Sequence, residues 1–181
     1  MNIVLRKISS IDLTEYTFWL QPIHEYHHLN GPYFKKPSIE EIEQKISEIQ
    51  LEFELGNDDP LPNKKLISNH YNEILGEVSW YWKSKETNWM EIGIIIFDKE
   101  NWGKGIGKKA LSLWIDQLFE SRQEIVRLGV TTWSGNQGMI GLAEKLGMKE
   151  EARYRKARIV DGKYYDSVSY GILREEWESN K

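Results

Sequence analysis

The 181-residue sequence contains no cysteine. That absence excludes a disulfide framework, a thiolate nucleophile, and cysteine-ligated zinc or iron–sulfur sites. The sequence has no run of about 18 apolar residues, the length a membrane-spanning helix needs. Its start, MNIVLRKISSID, lacks the apolar segment of a secretory signal. A cytoplasmic protein without a membrane partner is expected. An excess of positive charge is missing too, since 24 Lys and Arg stand against 28 Asp and Glu for a formal net charge of −4. Nucleic acid gripped by charge is an unsuitable partner for such a balance, and amines or other cations suit it better. Aromatic side chains are abundant instead, with 8 Trp, 9 Tyr and 5 Phe. Such rings fill cores, and those with a polar tip also line ligand clefts.

The length suits one domain burying roughly 70% of its unfolded surface. No internal repeat, low-complexity stretch or linker divides the sequence, so one mixed α/β domain over residues 1–181 is expected. Ile3 to Ser9 reads as a first strand. Leu13 to Leu29 has helical spacing interrupted by Pro22, which predicts two short helices or one broken one. Ser38-Ile39-Glu40-Glu41 is a capping box opening a helix whose Ile39, Ile42, Ile46, Ile49 and Phe53 share one side. Residues 56–63 form a loop. Strands are expected over Lys65–Tyr71, Ile74–Ser84 and Trp89–Phe97, the last apolar enough to be central. A helix over Gly103–Ser121, a strand over Arg127–Trp133 and a helix from Asn136 to Gly147 follow. Tyr154–Val160 and Lys163–Leu173, separated by Asp161-Gly162, read as a closing hairpin.

The chemistry concentrates where the apolar strand ending at Phe97 runs into Trp102-Gly103-Lys104-Gly105-Ile106-Gly107. A glycine-rich helix start brings free backbone N–H groups and the positive end of the helix dipole together, the makings of a phosphate cradle, to which Lys104 or Lys108 can add charge. A tight strand-to-helix turn would use the same glycines for geometry alone. Single residues separate Gly103, Gly105 and Gly107, a spacing that matches neither the Walker loop nor the dinucleotide fingerprint.

These residues resemble the GNAT superfamily of acyl-CoA-dependent N-acetyltransferases. Its signature, Gln/Arg-x-x-Gly-x-Gly/Ala after the fourth strand, fits residues 102–107 except at Trp102. Downstream, Asn136 to Met148 looks like the family's Asn-led helix. The tail, with Asp161-Gly162-Lys163-Tyr164-Tyr165-Asp166, Tyr170 and Glu176-Trp177, is similar to the branch that acetylates ribosomal-protein N-termini. The resemblance implies a mixed, mostly antiparallel sheet flanked by helices, with the fourth and fifth strands splayed around acetyl-CoA. It implies pyrophosphate binding by the amides of Gly103, Lys104, Gly105, Ile106 and Gly107, with Trp102 and Lys108 beside them. It further implies contacts to the pantetheine arm from free backbone groups of Ile95, Ile96 and Phe97, and a cofactor contact from Asn136. The expected partners are acetyl-CoA and an amine acceptor, and the family's habits add a homodimer. No metal is implied.

Acetyl transfer to an amine needs a base, and the resemblance places it at Glu91, fourteen positions before Gly105, in an otherwise apolar strand. A carboxylate there could instead anchor a neighbouring element. The family's usual acid, a tyrosine, is replaced by Ala143, which leaves Ser134, Tyr154 or solvent to protonate the departing thiolate. A non-catalytic CoA-binding or partner-binding module is the alternative that Ala143 keeps open. A remoter one is a zinc metallohydrolase, because His24-Glu25-Tyr26-His27-His28 satisfies His-Glu-x-x-His. The segment lies between Pro22 and Asn30-Gly31-Pro32, which leaves room for two helical turns at most. The same stretch could instead hold the acceptor amine. Arg153-Tyr154-Arg155-Lys156-Ala157-Arg158 is basic with an interleaved tyrosine, and an exposed strand accounts for it better than a nucleic-acid contact in an acidic protein.

Overall fold

In the computed structural model, which describes residues 2–179, seven strands form one sheet. They are β1 (Ile3–Arg6), β2 (Lys64–Asn69), β3 (Ile74–Ser84), β4 (Trp89–Ile96), β5 (Arg127–Trp133), β6 (Lys149–Val160) and β7 (Lys163–Leu173). Their spatial order is β1-β2-β3-β4-β5-β7-β6, antiparallel throughout except for β4 with β5. The helices are α1 (Leu13–Leu20), α2 (Ile39–Glu54), α3 (Ile106–Ser121), α4 (Gln137–Lys145) and α5 (Arg174–Ser179). No helix among the described residues is long and apolar enough to cross a membrane.

Alternation along the strands sorts side chains onto two faces. Met90 and Ile92 of β4, with Val78, Leu128 and Ile172, point to the face where α3 packs Leu111, Trp114 and Ile115. Ile95 and Phe97 point to the other, where α1 and α2 bring Leu13, Tyr16 and Ile49. On this second face α1 is also fixed by polar contacts. The Tyr16 hydroxyl donates to Glu77 at 2.7 Å, and the Lys64 ammonium pairs with the other carboxylate oxygen. Burial foremost, then the Glu77 charge, pushes the Tyr16 phenol well above its usual range, so it stays a donor.

The local signals place most elements where the sequence does. Ser38 accepts the Glu41 N–H while Glu41 reaches back to the Ser38 N–H, so the capping box forms. The segment with Pro22 divides into α1 and a 3-10 turn over Glu25–His28. The hairpin closes at Asp161-Gly162, with φ of 48° and 72°. Three boundaries differ. β1 stops at Arg6, whose guanidinium turns to the Asp12 carboxylate at 2.7 and 2.8 Å and starts the next turn. β6 begins at Lys149 rather than Tyr154, because β7 offers it partners from Gly171 onward. α5 carries too short a pattern to be read as a helix, and it is held by Trp177 donating to Asp116 at 2.8 Å. Helix α4 contains Gly138 and Gly141, each costing roughly 1 kcal/mol. Burial of Leu146 and Met148 just beyond its end contributes about 1.5–3 kcal/mol apiece and outweighs them.

Gly76 fixes how closely β3 and β4 approach, because a Cβ there would overlap the Ile95 carbonyl oxygen. Gly76→Ala is expected to destabilise the fold by about 2–3 kcal/mol, measured as a fall in the urea midpoint. An unchanged midpoint would show that β4 can retreat without loss.

Candidate active site

β4 and β5 pair at Met90 with Leu128 and at Glu91 with Gly129, and no pair joins them beyond. The register with β3 decides which backbone groups this parting frees. The Phe97 N–H donates to the Leu75 carbonyl at 3.0 Å. Phe97 and, two residues earlier, Ile95 therefore turn their main-chain groups towards β3, where Ile95 lies opposite Glu77. Alternation points the N–H and C=O of Ile94 and Ile96 the other way, into the space that β5 leaves. The result is a slot edged by the main-chain groups of Ile94 and the N–H of Ile96, whose carbonyl is held by the Trp102 indole.

At the end of the slot the chain makes a 3-10 turn over Lys99–Asn101 and enters α3. Gly103 and Gly105 have φ of 74° and 81°, left-handed conformations that glycine adopts without strain. The first intrahelical bond runs from the Lys109 N–H to the Gly105 carbonyl at 3.2 Å. No side chain caps the N–H groups ahead of it, those of Ile106, Gly107 and Lys108. A Cβ at Gly103 or Gly105 would meet nothing within 4 Å, so these amides face open space. Lys104 and Lys108 are exposed beside them, and neither joins an ion pair among the described residues. Trp102, in place of the family's Gln or Arg, donates its indole N–H to the Ile96 carbonyl at 2.9 Å and fastens the turn to the strand.

Glu91 lies at the closed end of the slot and is 1% exposed. Its carboxylate accepts from Thr131 Oγ1 at 2.9 Å and Trp89 Nε1 at 3.2 Å, and Arg127 Nη1 stands 3.7 Å away. Thr131 also lies 3.0 Å from Ser169 Oγ, so a line of hydroxyls leads from the half-buried Ser169 to the buried carboxylate. Tyr81 flanks this group from β3. Burial foremost, then the charges of Glu91 and the neighbouring Tyr33, raises its phenol above the ordinary range. The chain around Leu29 roofs the far side, its carbonyl accepting from Trp133 Nε1 at 3.0 Å and Asn136 Nδ2 at 3.3 Å.

The structure thus brings Ile96, Trp102, Gly103, Lys104, Gly105, Ile106, Gly107 and Lys108 to one slot and its mouth, and places the other candidates as follows. Phe97 and Ile95 face β3, so the slot-facing amides belong to Ile94 and Ile96; β3 has already taken the groups in between. Asn136 is the α4 cap, accepting the Met139 N–H at 3.0 Å while its amide donates to the Leu29 carbonyl at 3.3 Å. Glu91 is buried, and its carboxylate meets Thr131, Trp89 and Arg127. Gly138 and Gly141 face nothing closer than Asn136 at 3.7 Å, so tight packing does not explain them.

The zinc reading fails on geometry. His24 is in extended backbone outside a 3-10 turn, and its ring nitrogen sits 2.7 Å from the Phe18 carbonyl. Glu25 pairs with Lys99 at 2.7 Å, and no three metal-ligating side chains cluster among the described residues. Ala143 is fully buried and supplies no phenol. Tyr154 is 62% exposed on the outermost strand, whereas Ser134 ends β5 with its Oγ accepting the Asp166 N–H at 3.0 Å. Thr131, Ser169 and Tyr33 escaped the sequence reading, which took Arg158 only as part of a basic exposed strand. The register of the Asp161-Gly162 hairpin, which sets Arg158 opposite Tyr165, was the signal that could have singled it out.

The acetyltransferase (GNAT) domain family matches residues 2–149, and the chain belongs to that family. It is 29% identical over 109 residues to the SPbeta prophage-derived uncharacterized N-acetyltransferase YokL of Bacillus subtilis, a match covering 60% of each chain. It is 36% identical over 91 residues to the "Putative ribosomal N-acetyltransferase YdaF" of the same organism, covering 50% of this chain and 49% of that one. The matched stretches thus span only about half to three-fifths of these relatives. The fold superposes on a crystal structure of spermidine N-acetyltransferase from Vibrio cholerae in complex with CoA and spermine. The TM-score there is 0.74 at 18% identity, over 97% of this chain and 98% of that one. The family's acyl donor is acetyl-CoA. The residues present fit it, with amides along a slot for its pantetheine arm and open, uncapped N–H groups for its diphosphate.

Because Asn136 caps α4 and fastens the Leu29 carbonyl, Asn136→Ala is expected to lower stability by about 1 kcal/mol. CoA affinity should stay within about twofold. Calorimetric titration with CoA beside thermal unfolding checks both, and a loss of affinity without a loss of stability would restore Asn136 as a ligand.

Proposed function

We propose that the protein is an N-acetyltransferase that moves an acetyl group from acetyl-CoA directly to a primary amine, of a protein N-terminus or a small molecule. The observation that carries this reading is the parting of β4 from β5 above an uncapped, glycine-led helix start. Acetyl-CoA supplies the activated acyl group. The amides of Gly103 to Gly107 hold its diphosphate, and the main-chain groups of Ile94 with the N–H of Ile96 pair with its pantetheine arm. A fixed N–H at the same edge also stabilises negative charge collecting on the thioester oxygen.

The amine nitrogen forms its bond to the acyl carbon as the bond to sulfur breaks, with no enzyme-bound acyl group, in keeping with a chain that has no cysteine. The proton lost by the amine passes through Ser169 and Thr131 to Glu91, a positioning carboxylate that acts through Thr131 rather than touching substrate. The departing thiolate takes its proton from solvent, directly or through Ser134, whose Oγ accepts a backbone N–H and whose hydroxyl proton solvent replaces.

Two measurements test this. Titration with acetyl-CoA should show saturable one-to-one binding, weakened by about 10²-fold or more in Gly105→Glu, which places bulk and a negative charge among the amides. Wild-type affinity in a folded Gly105→Glu protein would overturn the cradle. For the proton route, Glu91→Gln and Thr131→Val should each lower kcat by about 10²-fold, with the acceptor KM and CoA affinity retained. The double variant should lose little more than either single one. Additive losses would separate the two residues and remove Thr131 from the route.

A further inference from the structure

The acceptor face of the sheet is short of available acids and long on one cation. Across it, Glu91 is held by Thr131, Trp89 and Arg127. Glu77 is held by Tyr16 and Lys64, and Glu25 by Lys99. Each of these carboxylates already has a cationic partner. A polyamine needs a free carboxylate for every ammonium beyond the one that reacts, and these three offer none.

Arg158 is in the opposite position. It leaves β6 opposite Tyr165 and reaches across β7, where Nη2 donates to Ser167 Oγ at 3.3 Å. Its guanidinium lies 4.5 Å from the centre of the Tyr33 ring, which stacks it against the roof of the cleft. Its Nε is buried and donates to nothing, and no carboxylate pairs with Arg158 among the described residues. Ser167 is opposite Trp133, so β5 alone separates this guanidinium from the slot. Arg155 and Lys156, exposed on the same strand, add charge of the same sign.

A half-buried guanidinium held by one hydroxyl and one ring retains donors in a planar fork that suits a carboxylate. We infer that Arg158, positioned by Tyr33 and Ser167, is a specificity-determining residue that selects an acceptor carrying an anionic group near its amine and disfavours polyamines. The inference rests on the transferase reading and adds the acceptor class to it. The amine enters over Ser169 and Thr131, and the anion beyond it meets Arg158 one strand further out.

The test titrates the preformed complex of protein with CoA, so that recognition is read without turnover. Three probes are used: the peptide amide Ala-Asp-Glu-Ala, its neutral counterpart Ala-Asn-Gln-Ala, and spermidine. The acidic peptide should bind about tenfold or more tighter than the neutral one and tighter than spermidine. Arg158→Gln should erase the difference between the peptides while CoA binding is unchanged, and Arg158→Lys should restore part of it. Indistinguishable peptides, tighter binding of spermidine, or a preference that survives in Arg158→Gln would overturn the inference and leave the transferase reading standing. Failure of CoA itself to bind the wild type would overturn both.

Discussion

Everything at this site follows from where two parallel strands stop pairing. An unpaired strand edge inside a sheet is costly, because each buried amide without a partner forgoes a hydrogen bond. β4 tolerates that edge because its other side is secured. β3 binds it along its length, and the Phe97 amide is fixed to Leu75. The approach of the two backbones at Gly76 leaves β4 no room to shift sideways. The strand can then present Ile94 and Ile96 to a ligand that pairs as a short strand would, which is how an extended chain of amides is recognised without side chains.

The two faces of the sheet divide the remaining work. The face under α3 is apolar throughout and supplies most of the cohesion. The other face changes character along its width, from the Tyr16–Phe97 cluster under α1 and α2 to Glu91, Thr131, Ser169 and Arg158 beyond it. Polar residues at that density survive only because they satisfy one another. Nearly every carboxylate there meets a hydroxyl, an indole or a guanidinium, so the site has little net negative field of its own despite the acidity of the whole chain.

The elements legible in the sequence were those fixed by local chemistry: the Ser38 capping box, the Asp161-Gly162 turn, the left-handed glycines before α3, and the apolar run of β4. The cradle was legible for the same reason, since consecutive residues build it. What could not be read was whatever depends on register between distant segments. Which of Ile94 to Phe97 face the slot is decided by a single bond to Leu75, far away in sequence. Asn136 has the residue type of a ligand and the position of a cap, and its bond to the distant Leu29 carbonyl is invisible in the sequence. Trp102 replaces the family's polar residue yet recovers a polar contact through its indole, a substitution that sequence comparison alone counts as a loss.

The Leu29 carbonyl, held at once by Trp133 and Asn136, has a thermodynamic implication. The roof over the acceptor and the first turn of α4 share one fastening, so the loop bearing Tyr33 cannot lift without loosening that helix. Occupancy on one side of the sheet then stiffens the other, and by linkage the coupling is reciprocal. The two substrates would not arrive as strangers: whichever enters first leaves a less mobile doorway for the second, an effect of equal size in either order of binding.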